Sequence, residues 1–148
     1  MALEFAKMHG LGNDFVVFDA VRQDVALTSE RIRAIADRRF GVGCDQVLVV
    51  APPEREGVDF TYRIYNADGG EVEQCGNGAR CVAAFARAAG LSDKDELRVE
   101  TLGGPLTLAL ADDEQVAVDM GAPRLAGAEI PLAEAGEWIR RPLEAAGT

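Results

Sequence analysis

Residues 76–89 place the tightest constraint on what this chain can fold into. They carry Ala79, Val82, Ala83, Phe85, Ala86 and Ala89 and close on Gly90, a helical pattern whose apolar residues occupy most of the circumference. Such a helix has no face to give to water, so other elements must wrap it on several sides.

The flanking sequence supplies strands for that purpose. Residues 3–8 and 14–20 read as two short strands around the turn His9-Gly10-Leu11-Gly12-Asn13. Thr28 or Ser29 caps a helix reaching about Arg39, with Ile32, Ile35 and Ala36 on one face, and Gly41-Val42-Gly43 ends it. Val47–Val50 is a continuous apolar run of the length of a buried strand. From Val58 to Tyr65, apolar residues alternate with Asp59, Thr61 and Arg63, the period of two of a half-buried strand. The turn Asp68-Gly69-Gly70 leads into residues 71–75. After the helix, residues 97–102, 106–111 and 115–120 form an antiparallel meander turned by Gly103-Gly104-Pro105 and Asp112-Asp113-Glu114. Strands and helices do not alternate regularly. The expected class is therefore α+β, with a largely antiparallel or mixed sheet curled around one central buried helix.

Charge and cysteine usage exclude several functions. Fifteen Lys and Arg against 25 Asp and Glu give a net charge of −10, which fits neither a nucleic-acid partner nor a membrane surface of anionic lipid. No apolar run approaches the ~18 residues of a membrane span, so neither signal peptide nor anchor is expected and the chain is placed in the cytoplasm. Cys44, Cys75 and Cys81 form no CxxC pair, which argues against a disulfide framework, a structural zinc or any other metal site.

The chemistry gathers at glycine turns. The three asparagines of the chain, Asn13, Asn66 and Asn77, each adjoin a turn glycine or precede one by three positions. Singly, each suits a turn, because asparagine tolerates positive φ. Together they offer amide donors and acceptors to a ligand carrying both ammonium and carboxylate. Cys75 immediately precedes the buried helix, where unpaired N–H groups and the positive end of the helix dipole stabilise an anion, and a thiolate is one. The glycines flanking Asn77 let a substrate approach that helix end. Cys44 and Cys81 read as small buried hydrophobes. His9 reads as a hydrogen-bonded residue of its turn, Asp68, Glu71 and Glu73 as a solvated edge, and Arg38, Arg39 and Arg80 as solvated or ion-paired. Of these arginines, Arg80 alone is near enough in sequence to assist Cys75.

Three segments carry a resemblance to a known family: Met8-His9-Gly10-Leu11-Gly12-Asn13-Asp14-Phe15, Gly41-Val42-Gly43-Cys44-Asp45-Gln46, and the long run from Asn66-Ala67-Asp68-Gly69-Gly70 through Cys75-Gly76-Asn77-Gly78-Ala79-Arg80. In this order they resemble the amino half of the diaminopimelate epimerases. Gly70 stands where the family pattern leads one to expect serine. The resemblance implies conversion of LL-2,6-diaminopimelate to the meso isomer without pyridoxal phosphate, metal or other cofactor. It implies that Cys75 is one of two catalytic thiols on opposite faces of the substrate α-carbon. It also implies substrate contacts from Asn13, Gln46, Asn66 and the Gly76-Asn77 backbone, and a homodimer of the full-length protein. The family fold is two similar halves, of which residues 1–117 would form the first and residues 118–148 begin the second; the partner cysteine is absent from this sequence. The competing expectations are a non-catalytic amino-acid-binding fragment, or a related isomerase of the proline-racemase or phenazine-biosynthesis type.

Overall fold

The computed structural model describes residues 2–111, 115–126 and 129–130. Along them run β1 (Phe5–Gly10), β2 (Asn13–Asp19), α1 (Ser29–Ala36), β3 (Gln46–Ala51), β4 (Phe60–Asn66), β5 (Glu71–Val72), α2 (Gly76–Ala88), β6 (Glu96–Thr101), β7 (Gly104–Leu110) and β8 (Val116–Asp119). All the strands join one mixed sheet in the order β1-β2-β3-β4-β6-β7-β8, with β5 beside β4. Antiparallel pairing dominates. Two parallel joins, β2 to β3 and β4 to β6, are bridged by α1 and α2, as parallel neighbours require a crossover. Both outermost strands, β1 and β8, touch α2, so the sheet curls until its two edges reach the helix, as the apolar circumference of residues 76–89 demands.

β2 and β3 show how the sequence enforces this. Successive side chains point to opposite faces. Phe15, Val17, Leu48 and Val50 join Tyr62, Ile64, Ala79, Val82, Ala83 and Leu97 in the core around α2. The alternate residues Val16, Phe18, Val47 and Val49 pack with Ile32 and Ala36 of α1 on the other face. Strands covered on both faces must be apolar at every position, which explains their unbroken hydrophobic runs.

The boundaries differ in places from the sequence expectation. α1 stops at Ala36 rather than near Arg39, because the Asp37 carboxylate accepts from the backbone N–H groups of Arg39 and Phe40 at 2.7 and 2.8 Å and so holds the chain out of the helix. Gly41 lies at the crossing that follows; a β-carbon there would sit 2.0 Å from the Ala34 carbonyl oxygen. β4 begins at Phe60 rather than Val58, and β7 at Gly104, so the tight turn before it is Leu102-Gly103. The first hairpin turns on Leu11 and Gly12 alone, with φ of 55° and 85°, the backbone of a two-residue hairpin turn. α2 closes as expected on Gly90 (φ 64°), with Gly90 N–H donating to the Arg87 carbonyl and Leu91 N–H to that of Ala86, a Schellman cap. The expected turn at 112–114 and most of the region assigned to a second half lie outside the described residues.

Candidate active site

One end of the sheet collects the polar residues singled out above. β2 begins at Asn13, β3 begins at Gln46 parallel to it, and β4, antiparallel to β3, ends at Asn66. Gln46 and Asn66 are direct cross-strand partners, and Gln46 Nε2 donates to Asn66 Oδ1 at 2.8 Å. That bond leaves Gln46 Oε1 as an acceptor and Asn66 Nδ2 as a donor for a ligand.

Cys75 meets this end as the N-cap of α2. Its backbone is extended (φ −147°, ψ 115°) and its Sγ accepts from the Gly78 N–H at 3.4 Å. On its other side the thiol points at Asn13 Oδ1, 3.8 Å away. The half-buried sulfur thus lies between a donor that serves the thiolate and an acceptor that serves the thiol. The N–H groups of Gly76 and Asn77 occupy the first helical positions, which have no intrahelical acceptor, and no partner fills them among the described residues. An anionic group bound there would face oriented donors and the positive end of the dipole.

Three close approaches fix the start of α2. The buried Tyr62 hydroxyl donates to the Cys75 carbonyl at 3.5 Å, and a β-carbon at residue 78 would lie 2.2 Å from that hydroxyl oxygen. Burial drives the Tyr62 phenol far above its ordinary pKa, so it remains a neutral donor. A β-carbon at Gly10 of β1 would come 3.3 Å from the Asn77 carbonyl, and one at Gly76 would come 3.2 Å from Met120 Sδ beyond β8. Both sheet edges therefore close on the helix start.

A charged cluster stands behind Asn13. Asn13 Nδ2 donates to Asp45 Oδ2 at 2.9 Å, Arg38 reaches both Asp14 (2.7 and 3.1 Å) and Asp45 (2.9 Å), and Lys7 pairs with Asp14 at 2.7 Å. Lys7 also donates to the Gly43 carbonyl. The Arg38 guanidinium holds the Asp14 carboxyl far below the usual carboxylate range, and the Asn13 amide lowers Asp45. Arg38 is thus one of the ion-paired arginines anticipated. No site role for Asp45 or Tyr62 followed from the sequence alone; the place of Asp45 directly before Gln46, in a segment that carries the family resemblance, was the available signal for it.

The remaining candidates fall outside this arrangement. Cys44 and Cys81 are buried, as read, and burial pushes both thiols up, that of Cys81 to about 11. Arg80 is exposed and donates to Asn77 Oδ1 at 3.5 Å, with no hydrogen bond to Cys75 among the described residues. His9 is exposed on β1 and, among the described residues, makes no side-chain hydrogen bond, contrary to its reading as a bonded turn residue. Glu71 pairs with Arg63 at 2.9 Å and Asp68 accepts from the Gly70 N–H at 2.8 Å. Among the described residues no group of three or more His, Cys, Asp or Glu could hold a metal ion, and no helix is long and apolar enough to cross a membrane.

Comparison with known proteins adds a family. The family model described as diaminopimelate epimerase matches residues 5–126. The diaminopimelate epimerase of Azoarcus sp. (strain BH72) is 59% identical over 147 residues, covering 99% of this chain and 53% of that protein. That of Laribacter hongkongensis (strain HLHK9) is 57% identical over 147 residues, with the same coverage of 99% and 53%. The chain spans about half the length of the curated relatives it matches. Among solved structures, a hydroxyproline epimerase from Agrobacterium vitis with bound trans-4-OH-L-proline superposes with a TM-score of 0.60 at 16% identity, covering 77% of this chain and 40% of that one. Methylitaconate-delta-isomerase gives a TM-score of 0.58 at 17% identity, covering 86% and 67%. These two share the fold.

Proposed function

The chain belongs to the diaminopimelate epimerase family, and from this we propose that it supplies one of the two acid/base faces of an enzyme that inverts an α-carbon of 2,6-diaminopimelate, LL to meso, in lysine and peptidoglycan precursor biosynthesis. The observation that carries the proposal is the position of Cys75 Sγ, between Gly78 N–H and Asn13 Oδ1 at the free end of α2. A thiolate there removes the α-proton, and the resulting thiol can donate to Asn13. The substrate carboxylate, into which the charge left on the α-carbon spreads, docks on the Gly76 and Asn77 N–H groups, which are oriented before the reaction begins. Asn13, Gln46 and Asn66 hold the ammonium and carboxylate groups through their amides. No step in this scheme calls on pyridoxal phosphate, a metal or another cofactor.

Inversion needs a second group on the opposite face. Cys44 and Cys81 are buried in the two cores with thiols that ionise poorly, so neither serves, and the opposing thiol belongs to sequence outside residues 1–148. Residues 1–117 form the first half in this reading and residues 118–148 begin the second. β8 crosses that boundary and would hand the chain from one half to the other. The full-length protein is read as a cytoplasmic homodimer.

Incubation of residues 1–148 with LL-diaminopimelate in deuterium oxide tests the division of labour. The expected outcome is slow exchange of the α-hydrogen with retained configuration, together with protection of Cys75 from alkylation by the substrate. Inversion at an enzymatic rate, seen by chiral chromatography, would show that both faces lie within this chain; absence of protection would remove Cys75 from the site.

A further inference from the structure

The amide of Asn13 can point either way, and its orientation decides what the sulfur of Cys75 meets. With Oδ1 toward the sulfur, as found, the thiol has an acceptor at 3.8 Å. With the amide turned over, the sulfur would face an N–H donor, which serves the thiolate instead.

Asp45 sets this choice. Its carboxylate can only accept, and its Oδ2 takes Asn13 Nδ2 at 2.9 Å and the Asp14 N–H at 3.0 Å. One N–H of the Asn13 amide is thereby committed to Asp45, which turns the oxygen end toward Cys75 and leaves the second N–H and a second lone pair for a ligand. Asp45 is itself fixed, since its Oδ1 accepts from Arg38 at 2.9 Å and its backbone N–H donates to Asp14 Oδ1 at 3.0 Å. Arg38 and Lys7 in turn hold Asp14. The contact between Asn13 and Cys75 thus rests on a chain of bonds that runs through Asp45 to Arg38.

We infer that Asp45 is a positioning residue, which orients the Asn13 amide so that its oxygen, and not its nitrogen, faces the Cys75 thiol. The inference rests on the reading of Cys75 as the acid/base thiol. It deepens that reading: a group that must both take and give a proton needs its thiol form supported as well as its thiolate, and Asp45 secures the support for the thiol.

The test reads the reactivity of the sulfur rather than turnover, so it can fail or succeed independently of the epimerase assay. On the full chain, the rate of Cys75 alkylation by iodoacetamide at neutral pH is followed by peptide mass. Asp45→Ala frees the amide to turn its N–H to the sulfur, and the rate is expected to rise about fivefold, the size of one neutral hydrogen bond. Asp45→Asn, whose side-chain oxygen still accepts from Asn13, should stay within about twofold of the unmodified chain. In an Asn13→Ala background, Asp45→Ala should change the rate by less than about twofold, because the coupling runs through the missing amide. An equal acceleration with and without Asn13 would reveal a through-space charge effect and overturn the inference. So would an unchanged rate in Asp45→Ala with its cooperative melt retained. Should alanine abolish that melt, Asp45→Ser, too short to reach Asn13 yet polar enough for the loop, takes its place with the same expected and overturning results.

Discussion

The Tyr62 hydroxyl occupies the space where residue 78 would carry a β-carbon, 2.2 Å from that position. Tyr62 is fully buried in β4 and the glycine is in the first turn of α2, so neither has room to yield. Gly78→Ala is expected to cost about 1–3 kcal/mol through overpacking, despite the better helix propensity of alanine. Removal of the oxygen with Tyr62→Phe in the same chain should return most of that loss. Denaturant melts of the two single variants and the double variant measure it; a Gly78→Ala chain as stable as its parent refutes the packing account.

Replacing Cys75 separates capping from chemistry. Serine can accept the Gly78 N–H as well as the sulfur does, so Cys75→Ser should hold stability within about 0.5 kcal/mol of the parent. Its hydroxyl does not ionise in the working range, and α-hydrogen exchange should fall by about a hundredfold or more. Stability preserved with exchange also preserved would mean that the thiol is not the base.

Thiol labelling should follow burial. Cys44 and Cys81 are 2% and 3% exposed, and burial raises both, whereas Cys75 lies at the open helix start. With limiting iodoacetamide at neutral pH, Cys75 is expected to label at least about tenfold faster than either. Peptide mass after partial modification gives the order directly, and modification of Cys44 or Cys81 before Cys75 contradicts the site.

Acid should loosen the cluster behind Asn13 late. The Asp14 carboxyl is held down by Arg38 in the folded chain, while in the unfolded chain it titrates near the ordinary value of about 3.9. Above that value both states are ionised and the pairing contributes its full stability. As pH falls further, the unfolded chain takes up the proton first, and the contribution declines through the lower folded value. The stability difference between the parent and Asp14→Asn should therefore be constant from about pH 8 to pH 5 and shrink below about pH 4. Urea melts across this range check it; a difference that fades between pH 8 and 5 would assign the effect to another group.

The sequence made the elements legible wherever one local signal decided them. The apolar circumference of residues 76–89 called for a curled sheet, and Gly90 marked the helix end through its αL geometry. The Cys-Gly-Asn-Gly segment pointed to the helix start as the site. Side chains that compete with backbone signals were harder to read. Asp37 ended α1 by capturing two N–H groups, although Arg38 and Arg39 are compatible with a helix. Leu11 adopts a positive φ that its own chemistry disfavours, because the strand register imposes a two-residue turn. The clasp of Asp14, Arg38 and Asp45 joins residues 24 and 31 positions apart, brought together by the parallel crossover of α1, and no local pattern encodes such a meeting.

Strand order in the sheet repeats strand order in the chain, β5 aside. The hairpin pairings β1–β2, β3–β4, β6–β7 and β7–β8 close short loops and form early, whereas contacts of high sequence separation, the two parallel joins among them, carry the larger entropic cost. The approach of both β1 and β8 to α2 is of the second kind. Since those two edges meet at the start of α2, where Gly10 and Met120 lie against Asn77 and Gly76, the surroundings of the Cys75 sulfur are completed by contacts of this second kind. In a refolding experiment the sulfur should acquire its native reactivity after the amides of the β3–β4 and β6–β7 hairpins are already protected from exchange, so that the same thiol would report when folding is finished.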